Sequence, residues 1–119
     1  MAKYVDGFVL PVSKAKLDDY RKFARRAGKV WIEHGAIDYV ECVADDVPFG
    51  KRTSFPRSVE RKNSETVIFA WVTYKSKAQR DKINKKVFAD PRIKALETEM
   101  GFIDGERMYF GGFDVIVDL

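Results

Sequence analysis

Hydrophobic and polar positions along the chain predict four β-strands. Tyr4 to Val12 is rich in β-branched and aromatic residues, as a strand on a sheet surface should be. The same pattern predicts strands over Ile37 to Ala44 and over Thr66 to Tyr74, and a last strand over Arg107 to Val117. The third strand differs from the others because it is apolar almost throughout.

A long helix is predicted between the first and second strands. Its apolar residues recur at alternating steps of three and four, which places them on one face of a helix. Ser13 is expected to cap the first turn, and Gly35 is expected to end the helix. The apolar face is expected to hold Leu17, Tyr20, Ala24, Ala27, Trp31 and His34.

Two further helices are predicted between the third and last strands. Ser76 followed by Gln79 is a capping-box pattern at the start of a strongly basic helix. Asp90 as cap and Pro91 in the first turn predict the start of a short helix that follows it. The buried side of the basic helix is expected to hold Ile83, Val87 and Phe88.

These elements follow one another in the order β-α-β-β-α-β. That order predicts an α+β, ferredoxin-like domain, in which both main helices pack on one face of an antiparallel sheet. The chain has 119 residues, of which 45% are hydrophobic, so residues 1–119 are expected to form a single domain with one core.

The other face of this sheet also needs a cover, since the third strand is apolar on both sides. If Ile68, Ala70 and Val72 face the helices, Phe69, Trp71 and Thr73 point away from them. A second copy could cover that face and form a dimeric α+β barrel, or the face could stack nucleic acid bases as in the RNA recognition motif. The residues expected to join the outward face are Tyr4, Asp6, Phe8, Tyr39 and Glu41.

Charge is distributed unevenly along the chain. The net charge is +4, yet residues 51–94 carry 13 basic and 4 acidic side chains, and residues 95–119 carry 1 basic and 6 acidic ones. The basic segment indicates an anionic partner such as RNA, or two faces that pair with each other or with a second copy. Nucleic acid is the less favoured partner, because the first strand lacks the motif that would match the third.

Cys42 is the single cysteine, which excludes a disulfide framework and zinc sites built on paired cysteines. We expect Cys42 to lie in the core, on the side of its strand opposite to Tyr39 and Glu41. With one histidine as well, the chain is expected to have no metal site, and no cofactor is predicted. We expect a reducing, cytoplasmic location and no membrane segment, because no apolar stretch approaches the roughly 20 residues of a span.

The stretch over residues 45–64 is the least regular part of the chain. A loop of this length inside a compact domain is usually functional or disordered. Arg52 and Arg57, among aromatic and hydroxyl residues, suit the closing of this loop over an anionic group. Alternatively, it is a solvated basic loop that lies over the partner subunit.

Candidate catalytic residues are few. Asp6 and Glu41 are carboxylates whose pKa values would rise on enclosure, so that they could act as acid or base, and His34 is the single histidine. The two carboxylates could equally pair with Arg107 or with loop arginines. The side chains expected to line an apolar pocket beside them are Tyr39, Trp71 and Tyr109.

Many short blocks of the chain, in order, resemble the YbaA-like family of uncharacterised bacterial proteins. The resemblance implies the dimeric α+β barrel superfamily and therefore a homodimer, and it implies no established activity. It extends over nearly the whole chain, through Glu33-His34-Gly35-Ala36, Glu41-Cys42, Thr53-Ser54-Phe55-Pro56, Tyr74-Lys75-Ser76, Ala89-Asp90-Pro91-Arg92 and Gly111-Gly112-Phe113.

Three functions remain open from the sequence. The first is a small-molecule-binding protein or cofactor-free enzyme that uses a pocket between the sheet and loop 45–64. The second is an RNA-binding or polyanion-binding protein that uses the basic segment 51–94, and the third is a purely structural homodimer.

Overall fold

The computed structural model describes residues 3–119, apart from the side chain of residue 102. One antiparallel sheet with the strand order β2-β3-β1-β4 is formed by β1 (Tyr4–Ser13), β2 (Asp38–Val43), β3 (Glu65–Tyr74) and β4 (Tyr109–Asp114). The α-helices are α1 (Leu17–Glu33), α2 (Phe55–Ser58), α3 (Lys77–Ala89) and α4 (Pro91–Glu97), with short 3₁₀ turns at Lys14–Lys16 and Met100–Phe102. The chain thus has the predicted α+β, ferredoxin-like architecture.

Side-chain caps begin two of the helices where the sequence predicts them. The hydroxyl of Ser76 accepts a hydrogen bond from the backbone N–H of Gln79, and the carboxylate of Asp90 accepts one from that of Arg92. The predicted cap at Ser13 is wrong. The backbone of Ser13 pairs with that of Glu65 as the last residue of β1, and a 3₁₀ turn separates it from α1.

The main core lies between the sheet and helices α1, α3 and α4. Leu10 lies opposite Ile68 in the register of β1 with β3, and both pack against Tyr20 and Ala24 of α1. Phe69 and Trp71 point to the opposite side, as predicted. We call the side that carries the helices the helix side, and the opposite side the open side.

The predicted neighbours of Phe69 and Trp71 on the open side are wrong. Residues directly opposite each other in antiparallel strands share a face, and Asp6 lies opposite Val72, while Glu41 lies opposite Ala70. Since Ala70 and Val72 face the helices, both carboxylates do so too. By the same register, Tyr4, Phe8 and Tyr39 lie on the helix side.

The open side is apolar and only partly covered. Val59 covers Val9 and Val67 at one end, where the three residues form a small buried cluster. Elsewhere, Phe69 is 44% exposed and Phe113 is 64% exposed. Within residues 3–119, this side therefore keeps a substantial area of aromatic surface in contact with solvent.

Three smaller predictions also need correction. The sequence predicts that Phe88 is buried, but its side chain is 54% exposed. Phe88 lies at the rim of the core, where its ring makes an edge-to-face contact with the Trp31 ring. Cys42 is exposed on the edge strand β2, where a core position was expected. The last strand ends at Asp114 and not at Val117. No helix in the described part of the chain is long and apolar enough to span a membrane.

Candidate functional site

A cavity of about 410 Å³, which is partly open to solvent and which we call the internal cavity, lies between the helix side of the sheet and helices α1, α3 and α4. Its walls are mainly aromatic and aliphatic, and this size is within the range of cavities that bind small organic molecules. Representative wall residues are Phe8 and Ala70 from the sheet, Ala27 and Trp31 from α1, and Leu96 from α4.

Glu41 is the central polar group of this cavity wall. Its carboxylate accepts a hydrogen bond from the hydroxyl of Tyr20 at 2.6 Å and another from that of Tyr39 at 2.8 Å. Burial raises the pKa of Glu41, although these two hydrogen bonds act in the opposite direction. Burial also raises the pKa of both tyrosines, so they stay protonated and act as donors.

Close packing between α1 and β2 positions Tyr39. A Cβ atom at Gly28 would lie 2.5 Å from the Tyr39 ring, so the ring occupies space that only glycine leaves vacant. The other contact of the Tyr39 ring is with Trp31, at 5.8 Å between ring centroids. The helix thus holds the tyrosine whose hydroxyl binds Glu41.

A second, more open groove of about 590 Å³ lies on the outside, between α1 and the edge strand β2. Tyr20, Tyr39 and Glu41 line this groove as well as the internal cavity. The three side chains therefore form the wall between the cavity and the outside groove. Arg21, Arg25 and Lys29 of α1 also line the groove.

Asp6 is the second carboxylate of the cavity, and its surroundings differ from those of Glu41. It is 5% exposed and forms an ion pair with Arg80 of α3 at 2.9 Å. Arg80 lies over the ring of Tyr4, 4.9 Å from the ring centroid. The negative charge of Asp6 is therefore matched by a neighbouring cation, and neither Arg107 nor a loop arginine has that role.

Asn84 of α3 lies beside this pair in the cavity wall. Its Oδ1 atom accepts hydrogen bonds from the Trp31 indole N–H and from the Tyr74 hydroxyl, both at 3.2 Å. An indole N–H can only donate, so the atom of Asn84 that faces Trp31 is the oxygen. The orientation of the amide is thereby fixed.

The structure places His34 away from Asp6 and Glu41. His34 ends α1, and its Nε2 lies 2.9 Å from the carboxylate of Asp90 at the start of α4. Arg92 binds the same carboxylate, and the hydrogen bonds from Arg92 and His34 lower the pKa of Asp90. His34 lines neither the cavity nor the groove and joins the ends of two helices.

The remaining predicted site residues lie on the open side or in the loop. The Trp71 ring packs against Phe69 at 5.7 Å, and the Tyr109 hydroxyl donates to Ser58 of α2. The Arg57 guanidinium donates to the backbone oxygens of residues 49 and 50, and Arg52 is exposed. Trp71 is among the residues that line the cavity with Asp6 and Glu41, although its ring packs on the open side. The structure does not bring Tyr109, Arg52 or Arg57 together with the two carboxylates.

The sequence-based location of the pocket is corrected accordingly. The cavity and the groove are lined mainly by sheet and helix residues, with Ile103 and Met108 before β4 also lining the cavity. No described residue of loop 45–64 contributes to either. The loop folds on itself through Arg57 and covers one end of the open side. Within residues 3–119, no group of three or more His, Cys, Asp or Glu side chains is arranged to hold a metal ion.

Sequence reasoning missed Tyr20, Arg80 and Asn84 as polar members of the site. Tyr20 and Asn84 each have a weak signal in the sequence. Tyr20 carries the one hydroxyl on the apolar face of α1, and Asn84 directly follows the buried Ile83. Arg80 could not be separated from the other cations of α3 without the position of Asp6.

Solved structures with this fold are similar to the chain in shape but not in sequence. A dimeric ferredoxin-like protein from an uncultured marine organism has a TM-score of 0.67, with 8% identity and complete coverage of both chains. A putative antibiotic biosynthesis monooxygenase from Nitrosomonas europaea has a TM-score of 0.65 and 11% identity, covering 96% of this chain and 90% of the other. SnoaB, a cofactor-independent oxygenase from Streptomyces nogalater, has a TM-score of 0.60 and 14% identity, covering 98% and 96%.

Sequence relatives are closer and carry no described activity. The uncharacterised protein YbaA of Escherichia coli strain K12 is 47% identical over 116 residues, which cover 98% of each chain. Shigella flexneri has a YbaA protein that matches with the same identity and coverage. Residues 3–105 match the family model described as "Protein of unknown function (DUF1428)". The predicted resemblance is therefore confirmed, and the chain belongs to the DUF1428 family of YbaA-like proteins.

Proposed function

We propose that this protein binds a small, largely apolar molecule in the internal cavity and exchanges a proton with it through Glu41, without a cofactor. The observation that carries the proposal is the setting of Glu41. Its carboxyl group lies in the wall of an apolar cavity, and its side-chain partners are the hydroxyls of Tyr20 and Tyr39. Asp6 is less suited to this task because Arg80 neutralises it.

The chemistry follows from the raised pKa of Glu41. A carboxyl group with a raised pKa is a stronger base in its ionised form, so it can accept a proton from a ligand and later return it. The ionised form would take a proton from an acidic O–H or C–H bond, and the electron pair would stay on the ligand as a delocalised anion. The two tyrosine hydroxyls would stabilise the carboxylate before the transfer.

Two of the structurally similar proteins support an enzymatic function on this fold, in one case without a cofactor. One is described as a cofactor-independent oxygenase and another as a putative antibiotic biosynthesis monooxygenase. Their identity to this chain is low, so they support a cavity-based, cofactor-free function and do not indicate a substrate.

Binding of 2-naphthol, a fluorescent bicyclic alcohol, tests the occupancy of the cavity. The wild-type protein is expected to bind it saturably. Ala27→Leu, which fills the cavity from α1, should weaken binding about tenfold or more. Ala95→Leu is the matched control, because Ala95 is exposed on α4 and lines neither cavity nor groove. Absence of saturable binding, or equal binding by both variants, would contradict the proposal.

The role of Glu41 is tested on the same complex. Proton exchange with the ligand predicts that naphthol affinity changes with pH in the wild-type protein and that Glu41→Gln removes this change. Glu106→Gln, at an exposed carboxylate in the turn before β4, is the control and should retain it. An unchanged pH profile in the Glu41→Gln variant would exclude proton exchange while leaving ligand binding intact.

For the open side, we propose a second copy of the chain as the cover. This side is apolar, it exposes Phe69 and Phe113, and two of the structurally similar proteins are described as dimeric ferredoxin-like proteins. Phe69→Lys is expected to convert a dimer to a monomer in analytical ultracentrifugation. Ile32→Lys, at an exposed apolar residue of α1, should leave the dimer intact. A monomeric wild-type protein, or a dimeric Phe69→Lys variant, would refute this arrangement.

Polyanion binding is the alternative function, and one observation favours it. Several lysines of α3 are exposed, although Arg80 is withdrawn because it pairs with Asp6. Retention on a heparin column that weakens with salt would support this function, and elution in the void volume at low salt would exclude it. The lysines concerned are Lys77, Lys82, Lys85 and Lys86.

A further inference from the structure

Within the described part of the chain, the side-chain amide of Asn84 has an acceptor atom that is hydrogen-bonded and a donor group that is not. Its Oδ1 atom is occupied by two donors, the Trp31 indole and the Tyr74 hydroxyl. Its Nδ2 group has no hydrogen-bond partner among the residues that the structure describes. Because Asn84 lines the cavity, a donor with a fixed orientation is present at its wall.

Asn84 and Glu41 lie at the two ends of one series of contacts along the cavity wall. Asn84 binds the indole of Trp31, the Trp31 ring packs against Tyr39, and the Tyr39 hydroxyl binds Glu41. A ligand that lies against the two aromatic rings would therefore meet a donor at one end and a carboxyl group at the other. Aromatic walls of this kind favour a flat molecule.

The charges of the cavity disfavour the entry of a ligand that is already ionised, whereas proton transfer from a bound neutral ligand to Glu41 leaves the net charge of the cavity unchanged. Three carboxylates, those of Asp6, Glu41 and Glu97, are among the described residues that line it, and no lysine, arginine or histidine is. Of these three carboxylates, Arg80 pairs with that of Asp6, and it also pairs with Asp81 outside the cavity lining. A negatively charged group would be repelled here, whereas a neutral oxygen can accept a hydrogen bond from the Asn84 amide.

We infer that the cavity takes a neutral, flat molecule with a carbonyl or similar acceptor oxygen, and that the Nδ2 group of Asn84 donates the hydrogen bond that holds this oxygen. This inference rests on the proposed function, since it assigns a ligand class to the same cavity. Asn84 is then a specificity-determining residue, because a donor fixed in the cavity wall discriminates against a ligand of the same shape that lacks the acceptor.

Two naphthalene derivatives of similar shape test this inference. 2-Acetylnaphthalene carries a carbonyl oxygen, and 2-isopropylnaphthalene has a carbon at the same position. Competition with 2-naphthol should show that the wild-type protein prefers the acetyl compound by about tenfold. Asn84→Asp replaces the amide donor by an acceptor. It should remove this preference by lowering the affinity for the acetyl compound while the affinity for the isopropyl compound stays unchanged.

Gln79→Glu makes the same chemical change at an exposed position of α3 and should alter neither affinity. Asn84→Ser, whose hydroxyl is too short to reach the same point, is the second variant if Asn84→Asp does not retain the wild-type circular dichroism spectrum. Equal affinities for the two compounds in the wild-type protein, or an equal loss of both in the variants, would overturn the inference.

Failure of this inference and failure of the proposed function give different results. If 2-naphthol binds in the cavity but the acetyl compound has no advantage, the role of Asn84 is refuted and the cavity-based function stands. If none of the three compounds binds to the wild-type protein, both are refuted.

Discussion

The two sides of the sheet differ in where they carry charge. The helix side holds Asp6 and Glu41 next to an internal cavity, whereas the open side exposes Phe69 and Phe113. Enclosure changes the pKa and the reactivity of a carboxylate, so charge on the helix side favours chemistry. Exposed aromatic surface favours contact with another molecule, so the open side suits association.

A pair of glutamates shows the same difference. Glu41 on the helix side has tyrosine partners, and burial raises its pKa. Glu65 lies at the start of β3, where both of its oxygens bind Arg107 at 2.7–2.8 Å, which lowers its pKa to about 2. The first arrangement is the one on which the proposed proton transfer depends, and the second holds a carboxylate in its ionised form.

The largest effect is expected from Arg80→Met. This change leaves the buried carboxylate of Asp6 without its cation, which should lower the free energy of unfolding by about 3–5 kcal/mol. Lys82→Met on the same helix, at an exposed position, should change it by less than about 0.5 kcal/mol. Urea denaturation measures both, and similar small losses would show that the Asp6 pair is not a stabilising feature of the helix side.

The next effect is expected at Glu65. Because the pKa of Glu65 is lowered, its ion pair with Arg107 makes its full contribution to the free energy of unfolding above pH 4.5. This contribution is lost as the pH falls toward 2. Glu65→Gln should therefore cost about 2–3 kcal/mol at pH 7 and much less near pH 2. Chemical denaturation of both proteins between pH 2 and pH 7 measures this loss of stability. A loss that does not change with pH would contradict the lowered pKa of Glu65.

A matched pair of substitutions compares core packing on the two sides. Val72→Ala on the helix side, where Val72 is 2% exposed, should lower the free energy of unfolding by about 2 kcal/mol. Val40→Ala on the open side should cost less than half of this, because Val40 is only partly buried. Both are measured in the Phe69→Lys background, which is designed to keep two copies apart. Equal losses would mean that the two sides are packed alike.

The smallest effect is expected at Glu41, and its sign is opposite to that at Glu65. A raised pKa disfavours the ionised form in the folded state, so wild-type stability should fall as the pH rises above 4.5 through the raised value. Glu41→Gln should lack this fall, so its stability relative to the wild type should increase as the pH rises above 4.5. Parallel pH profiles for the two proteins would contradict the raised pKa.

Much of the fold could be predicted from the sequence, but the side on which the site lies could not. Helix starts depend on local bonds, and the caps at Ser76 and Asp90 are correct for that reason. The side on which Asp6 and Glu41 lie depends on strand register, since a shift of one residue would move each side chain to the other face. β1 has apolar residues at both odd and even positions, so its pattern alone does not indicate the register.

The candidate site could be predicted only in part, because some of its residues depend on partners that are distant in the chain. Glu41 and Tyr39 could be proposed from residue type and strand position alone. Asn84 acquires its role through Trp31 and Tyr74, which are 53 and 10 residues away in the chain. No spacing rule connects a helix amide to an indole on another helix, so this part of the site required the structure.

The two donors to Glu41 come from different layers of the molecule, and this links its acidity to the spacing of those layers. Tyr20 belongs to α1 and Tyr39 to β2, and the glycine at position 28 allows the layers to approach closely. A bulky ligand that moved α1 outward would lengthen the bond from Tyr20 and make the carboxylate more basic. The size of the bound molecule would then adjust the strength of the base that it meets.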